Sequence, residues 1–153
     1  MAFGFPLYID LNGNNCTIFG GNEYAADKAE TLLRFGARIT VIAPTLCERL
    51  VKMDADHTIR YIPRKYYRGD CSNAMLCVAA TDTDTTNIAI ASECKAKSIP
   101  VNVESPAAFG NFCFPEAIIT DNLQVSLVGD LPPEQMRRVC DRLHGHLNDW
   151  MNE

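Results

Sequence analysis

Short apolar segments recur between residues 16 and 103, and amphipathic segments separate most of them. The apolar segments are residues 16–19, 39–42, 58–62, 75–80 and 101–103. Most are apolar nearly throughout, which is typical of strands that are covered on both faces of a sheet. Residues 24–35, 46–53 and 85–97 have apolar residues at helical spacing and are predicted to be helices. This alternation predicts right-handed βαβ units and an α/β fold whose parallel sheet carries helices on both faces.

The pattern changes after Pro106. Residues 112–114 and 117–120, a polar turn and residues 123–128 predict a strand, a turn and a second strand. Two prolines and a glutamate at residues 132–134 favour a helix start. Apolar residues then recur at helical spacing: Met136, Val139, Cys140, Leu143, Leu147 and Trp150. We predict a first domain at 1–113 and a hairpin-plus-helix module at 114–153. The module would pack on the first domain or, as we prefer, on a second copy in a homodimer.

The first strand runs into a glycine turn that is typical of dinucleotide-binding sites. In the G-x-G-x-x-G/A pattern, Gly20 occupies the first position, Asn22 the second and Ala25 the last. Asparagine tolerates a positive φ, so the turn can persist with Asn22 in place of glycine. Its side chain, however, takes space that a phosphate would need. A tight strand–helix turn without a cofactor is the alternative interpretation.

Charge and composition narrow the class of partner. The 153 residues carry a net charge of -5, which argues against nucleic acid as the main partner. Neither a membrane-length apolar segment nor a secretory signal is evident, so we expect no membrane association and a cytoplasmic location. A basic segment at residues 60–68, with interleaved tyrosines, is interpreted as a solvated loop, with an anion-binding site as the alternative.

Cysteine and histidine positions do not indicate a metal site. The 7 cysteines are widely spaced without a C-x-x-C motif, so we predict buried free thiols rather than a disulfide framework or a zinc site. His144 and His146 lie two residues apart on a predicted helix and would point in nearly opposite directions. No metal is therefore expected.

An ordered set of motifs accompanies the glycine turn: residues 5–11 (Phe-Pro-Leu-Tyr-Ile-Asp-Leu), 79–82 (Ala-Ala-Thr-Asp) with Asn87, 101–103, and 112–115. This set resembles the precorrin-2 dehydrogenase family, the dehydrogenase part of siroheme synthases. The resemblance implies a Rossmann-like NAD-binding domain and a homodimer. It also implies oxidation of precorrin-2, a tetrapyrrole, to sirohydrochlorin with NAD, in some members with iron insertion. Relative to the family we expect the second module to be truncated.

The resemblance also assigns candidate cofactor-binding residues, which share backbone donors and a helix N-terminus facing the pyrophosphate. They are Gly20, Gly21, Asn22, Glu23, Tyr24, Ala25, Ala43, Pro44, Thr45, Ala80, Thr81 and Asp82. The acidic residue that commonly holds the ribose is absent after the second strand, so this position does not predict a preference between cofactors.

The catalytic position departs from the family. Its aspartate ends an Asn-Val-Val-Asp segment, whereas residues 102–105 are Asn-Val-Glu-Ser, which places Ser105 there. A serine hydroxyl is not a general base without an activating partner. Glu104 could replace the aspartate only if the strand has ended and the loop turns it inward, because successive side chains of a strand face opposite sides. An exposed loop glutamate is the alternative.

A second departure concerns the family's serine- and glycine-rich loop, which would offer donors to substrate carboxylates. Here residues 127–133 read Leu-Val-Gly-Asp-Leu-Pro-Pro, which replaces hydroxyls by apolar groups and adds a negative charge. Three functions stay open. They are a precorrin-2 dehydrogenase, with or without ferrochelatase activity, a non-catalytic dimeric protein that binds a tetrapyrrole or nucleotide, and another NAD-linked oxidoreductase on the same scaffold.

Overall fold

The computed structural model describes residues 4–151, apart from the side chains of Asn148 and Met151. The strands are β1 (Asn15–Phe19), β2 (Arg38–Ile42), β3 (Ile59–Ile62), β4 (Leu76–Ala79), β5 (Val101–Val103), β6 (Glu116–Ile119) and β7 (Gln124–Leu127). The α-helices are α1 (Glu23–Arg34), α2 (Glu48–Ala55), α3 (Asp84–Ala96) and α4 (Pro133–Met151).

Strands β1 to β5 form one sheet in the order β3-β2-β1-β4-β5, and each neighbouring pair is parallel. The strand order reverses between β1 and β4. Right-handed crossovers therefore place α1 and α2 on one face and α3 on the other. At such a reversal the connections leave the carboxyl edge in opposite directions and open a crevice between them. The Rossmann-like fold class predicted from the sequence is confirmed.

The core lies on both faces of this sheet. Ile18 and Phe19 in β1, and Val78 and Ala79 in β4, are completely buried, as continuous apolar strands require. Helix α1 ends at Arg34. Gly36, two residues later, has a φ of 76° and donates its N–H to the carbonyl of Leu33, which is typical of a glycine that follows a helix.

The described chain divides into two compact units, residues 6–112 and a second made of residues 113–151 with residues 4–5. In the second unit, β6 and β7 pair as an antiparallel hairpin and α4 packs on β6. The strand predicted at residues 112–114 is wrong. The hairpin begins at Glu116, because Pro115 has no N–H to donate to a ladder. Among the described residues, no helix is both long and apolar enough to cross a membrane.

The cysteines follow the sequence prediction only in part. All are free; Cys16, Cys71, Cys77 and Cys94 are buried as predicted. Cys113, in contrast, is exposed.

The connection between β3 and β4, residues 63–75 (the β3–β4 loop), is irregular but held by buried polar groups. Glu93 on α3 accepts hydrogen bonds from the Tyr66 hydroxyl, from the Gly69 N–H at 3.0 Å and from the Lys97 ammonium at 2.6 Å. Burial opposes ionisation of Glu93, but these hydrogen bonds, from Lys97 first, lower its pKa below the ordinary value. The loop is therefore attached to α3 through one carboxylate.

We expect Glu93→Gln to lower the free energy of unfolding by about 1–3 kcal/mol at neutral pH, because it weakens three charge-assisted bonds. Because the pKa of Glu93 is lower in the folded state than in the unfolded state, its ionised carboxylate stabilises the fold at pH values above the unfolded-state pKa. This stabilisation is lost as pH falls through the folded-state pKa. The difference between wild type and variant in urea titrations should therefore shrink below a pH of about 4. The exposed Glu48→Gln is the control, and a difference that stays constant with pH would contradict the assignment.

Candidate functional site

A cavity of about 610 Å³ opens at the carboxyl edge of the parallel sheet, beside the reversal of strand order. Its walls come from the β1–α1 turn, the β2–α2 connection, the β3–β4 loop and the start of α3. The lining residues are Gly20, Gly21, Asn22, Ile42, Ala43, Pro44, Thr45, Leu46, Cys47, Lys65, Tyr66, Thr81, Asp82, Thr83, Thr85, Thr86 and Ala89. Both its position and its size are typical of ligand sites in open α/β sheets.

The glycines of the turn are required by the protein's own backbone. Gly20 has a φ of 121°, and a Cβ there would overlap the carbonyl of Ala80. A Cβ on Gly21 would overlap the carbonyl of Thr45. The turn is held by the Gly20 N–H, which donates to Ile42 O at 3.0 Å, and by the Cys47 N–H, which donates to Gly21 O at 2.7 Å. Three connections therefore meet at this turn without space for a side chain.

Asn22 does not use the left-handed conformation that the sequence suggested for it. Its φ is −85°, and it is the N-cap of α1. Its side-chain oxygen accepts from the Ala25 N–H at 2.9 Å, and its amide nitrogen donates to Glu104 Oε2 at 2.9 Å. Asparagine caps a helix from extended backbone, so its tolerance of a positive φ is not used here, and the turn's positive φ falls on Gly20 instead.

Glu104 faces the N-terminus of α1. Strand β5 ends at Val103, and the Glu104 N–H still bonds to Ala79 O at 2.9 Å while its half-buried side chain turns towards Asn22. The interpretation as an exposed loop glutamate is therefore wrong. Nearby, the Tyr24 hydroxyl donates to Asn102 Oδ1 at 2.6 Å. Burial raises the pKa of Tyr24, and the charge of Glu104 raises it further.

Ser105, at the position of the family's aspartate, is exposed. Its carbonyl accepts a hydrogen bond from the Asn87 side chain at 2.8 Å. Among the described residues, no carboxylate or imidazole is hydrogen-bonded to its hydroxyl. Nothing in its surroundings activates Ser105 as a base, whereas Glu104 places a carboxylate at the carboxyl edge.

Asn87 joins two of the connections at this edge. It is buried, and its oxygen accepts from both the N–H and the hydroxyl of Thr81, at 2.9 and 2.7 Å. Its nitrogen donates to the carbonyls of Thr81 and Ser105. Asn87 therefore shapes the edge of the cavity rather than offering a free group to a ligand.

Some of the predicted cofactor residues line the cavity and others do not. Gly20, Gly21, Asn22, Ala43, Pro44, Thr45, Thr81 and Asp82 line it. Ala25 and Ala80 are buried behind it, Tyr24 bonds to Asn102, and Glu23 pairs with Arg49 at 3.1 Å. Their roles towards a cofactor stay a prediction.

Sequence reasoning missed polar residues on the opposite walls. Thr83, Thr85 and Thr86 come from the start of α3, and Lys65 and Tyr66 from the β3–β4 loop. Lys65 belongs to the basic segment for which an anion site was the alternative interpretation. In that segment, Arg64 instead pairs with Asp70 at 2.7 Å. The threonines could have been found from their place just after a buried strand.

The donors in the cavity fit a dinucleotide. Next to the cavity lining at Asn22, the first-turn amides of α1 at residues 23 and 24 have no acceptor within the helix, and a helix N-terminus favours an anion. Lys65 and the hydroxyls of Thr85 and Thr86 add donors across the cavity, whereas the hydroxyls of Thr81 and Thr83 already donate to Asn87 and Thr86. Ile42, Leu46 and Ala89 offer apolar surface for a base. The carboxylates of Asp82 and Glu104 would weaken dinucleotide binding, because they lie near the position that a pyrophosphate would take and would repel it.

The chain matches known proteins along most of its length. Residues 7–116 match a family model described as "Putative NAD(P)-binding". Siroheme synthase from Tolumonas auensis is 34% identical over 143 residues, which cover 93% of this chain and 30% of that protein. Siroheme synthase from Thioalkalivibrio sulfidiphilus is 30% identical over 94% of this chain and 29% of that protein. The chain thus spans less than a third of the length of these relatives.

Solved structures show the same fold. "SirC, precorrin-2 dehydrogenase" is similar with a TM-score of 0.75 and 25% identity, over 94% of this chain and 71% of that chain. The apo-structure of D-lactate dehydrogenase from Escherichia coli has a TM-score of 0.50 at 11% identity, over 67% of this chain and 32% of that chain. That second likeness concerns the fold alone.

Fold and cavity together define a Rossmann-like protein with a candidate dinucleotide site. The chain belongs to the family whose model is described as putative NAD(P)-binding. It is similar to siroheme synthases in sequence and to a precorrin-2 dehydrogenase in structure. The resemblance predicted from the sequence is confirmed.

We expect Gly21→Ala to lower the free energy of unfolding by about 2 kcal/mol or more, because the new Cβ would overlap the Thr45 carbonyl. Gly145→Ala is the matched control. Apart from the neighbouring residues and the backbone of α4 itself, no atom of the described residues lies within 4 Å of a Cβ at this position, and alanine favours a helix by up to about 1 kcal/mol. Chemical denaturation without added nucleotide measures both. A Gly21→Ala variant as stable as wild type would contradict the close approach.

Proposed function

We propose that this protein is an NAD-dependent precorrin-2 dehydrogenase that acts in siroheme biosynthesis. The observation that carries this proposal is the likeness to SirC over 94% of the chain. The cavity at the reversal of strand order supports it, because open α/β sheets bind dinucleotides at that place.

In this proposal the dinucleotide lies across the carboxyl edge of the sheet. The N-terminus of α1 would hold its pyrophosphate, and Lys65, Thr83 and Thr86 would contact it from the opposite wall. Ile42 and Ala89 contribute apolar surface. When bound, NAD supplies the hydride acceptor; the chain's residues position it and exclude water.

Glu104 is our candidate for the group that accepts a proton from the tetrapyrrole. Its carboxylate is half-buried at the carboxyl edge, and the 2.9 Å bond from the Asn22 amide fixes its orientation. Ser105 has no comparable partner.

A second candidate function is a non-catalytic protein that binds a tetrapyrrole or nucleotide. The specific observation in its favour is that Asn22 caps α1 with its own side chain, so the Ala25 N–H is already satisfied before a phosphate could reach it. The apolar segment at 127–133 also favours this non-catalytic function. It lines a smaller cavity of about 240 Å³ in the second unit together with Met136 and Cys113, and it offers few donors to a carboxylate-rich substrate.

We also propose that the second unit forms a homodimer contact. Within that unit Leu131, Val139 and Trp150 are exposed large apolar side chains. Burying such side chains against a second copy would remove apolar surface from water.

Anaerobic turnover of precorrin-2 with NAD, followed by NADH absorbance, tests the proposed function. We expect activity in the wild type and a loss of about 100-fold or more in kcat for Glu104→Ala, because general acid–base catalysis contributes that order of magnitude. Ser105→Ala is the matched control and should retain activity within a few-fold.

Two results would contradict this proposal. Inactive wild-type protein that still binds NAD or precorrin-2 in calorimetry would favour the non-catalytic function. Equal activity of Glu104→Ala and wild type would remove Glu104 from the mechanism. Circular dichroism of each variant shows whether a loss reflects chemistry or folding.

A further inference from the structure

Three cysteine side chains from separate parts of the first unit meet in its core. Cys71 lies in the β3–β4 loop, Cys77 on β4 and Cys94 on α3. Their sulfur atoms all lie within 4.8 Å of one another, and each residue is completely buried. No motif connects them in the sequence, so the fold alone creates this cluster.

The spacing suits a shared metal ion. With metal–sulfur bonds of about 2.3 Å, three thiolates around one ion lie roughly 4 Å apart. The sulfur–sulfur distances in the cysteine cluster, at most 4.8 Å, are close to that spacing, so small side-chain rotations would suffice for coordination. Because the ligands come from a loop, a strand and a helix that are packed together, the site is preorganised.

The chemistry of the three side chains also suits a metal. The thiolate is the form of cysteine that binds metal ions, so each of the three thiols would lose its proton when a metal binds.

The surroundings support the three ligands. Ile90, Val101 and Phe19 belong to the same buried apolar cluster, which excludes water. Glu93, next to Cys94, holds the β3–β4 loop through Tyr66 and Gly69, and so fixes the position of Cys71. Outer groups of this kind orient metal ligands in other proteins.

We propose that Cys71, Cys77 and Cys94 form a three-thiolate site for a soft metal ion, and that Cu(I) is the ion it fits best. Structural zinc sites take four ligands, and no fourth His, Cys, Asp or Glu joins this cluster among the described residues. Thiolate ligands favour Cu(I), zinc and iron–sulfur clusters, and of these Cu(I) is the one that three thiolates in a closed apolar site suit best. This proposal does not depend on the dehydrogenase function.

One consequence concerns the candidate dinucleotide cavity. The β3–β4 loop carries Cys71 and also Lys65 and Tyr66, which line that cavity. A metal bound to Cys71 would hold the loop against β4 and α3. The metal site would therefore stabilise one wall of the cavity.

The test uses the full chain, reduced and kept without oxygen, with Cu(I) supplied from an excess of a competing chelator such as bicinchoninate. We expect about one copper ion per chain to be retained, with three sulfur neighbours in X-ray absorption spectra. Cys94→Ala should weaken retention by about 100-fold or more. Cys16→Ala is the matched control, because Cys16 is equally buried outside the cysteine cluster.

Three outcomes would overturn the proposal: no copper retained by wild type, retention unchanged in folded Cys94→Ala, or a stronger preference for Zn(II). Cys77→Ala is a second variant in case Cys94→Ala fails to fold, and circular dichroism checks both. If neither variant folds, the X-ray absorption spectrum of the copper-loaded wild type tests the proposal. Fewer than three sulfur neighbours of copper would contradict a three-thiolate site.

Discussion

The close approach of three backbone segments at Gly20 and Gly21 is the constraint on which the candidate site depends. The carbonyls of Ala80 and Thr45 occupy the places where side chains would otherwise stand. This contact brings the ends of β1, β2 and β4 together, so that α1 and α3 begin on opposite sides of one cavity. In this chain the glycines serve the architecture first, and any phosphate would use a turn that is already formed.

Asn22 and Glu104 modify that turn in a related way. The asparagine replaces glycine at the second position of the pattern, caps α1 and holds the carboxylate of Glu104 at 2.9 Å. A carboxylate near a helix N-terminus is electrostatically favourable, but it competes with a pyrophosphate for the same partial charge. The two substitutions therefore form one unit, which can orient a proton acceptor and also weaken dinucleotide binding.

Local patterns predicted the parallel sheet well, because β1 and β4 are buried on both faces and their sequences are apolar almost throughout. The glycine turn could also be predicted, since it depends on residues that are neighbours in the sequence. The φ of Asn22 was not, because capping and left-handed turns both favour asparagine. The sequence offered Lys65 only as part of an alternative anion site, and it did not predict the cysteine cluster, because the places of these residues depend on how an irregular loop folds over β4 and α3.

The central claim is that a dinucleotide binds in the cavity beside Gly21, and calorimetric titration with NAD tests it most directly. Ala89 is an exposed residue on the cavity wall of α3, so Ala89→Trp would fill the cavity without entering the core. Ala96→Trp, at the exposed end of the same helix, is the control. The account predicts that NAD binds wild type and the control and that Ala89→Trp weakens binding by about 10-fold or more. Equal binding to all three proteins, or none to wild type, would contradict it.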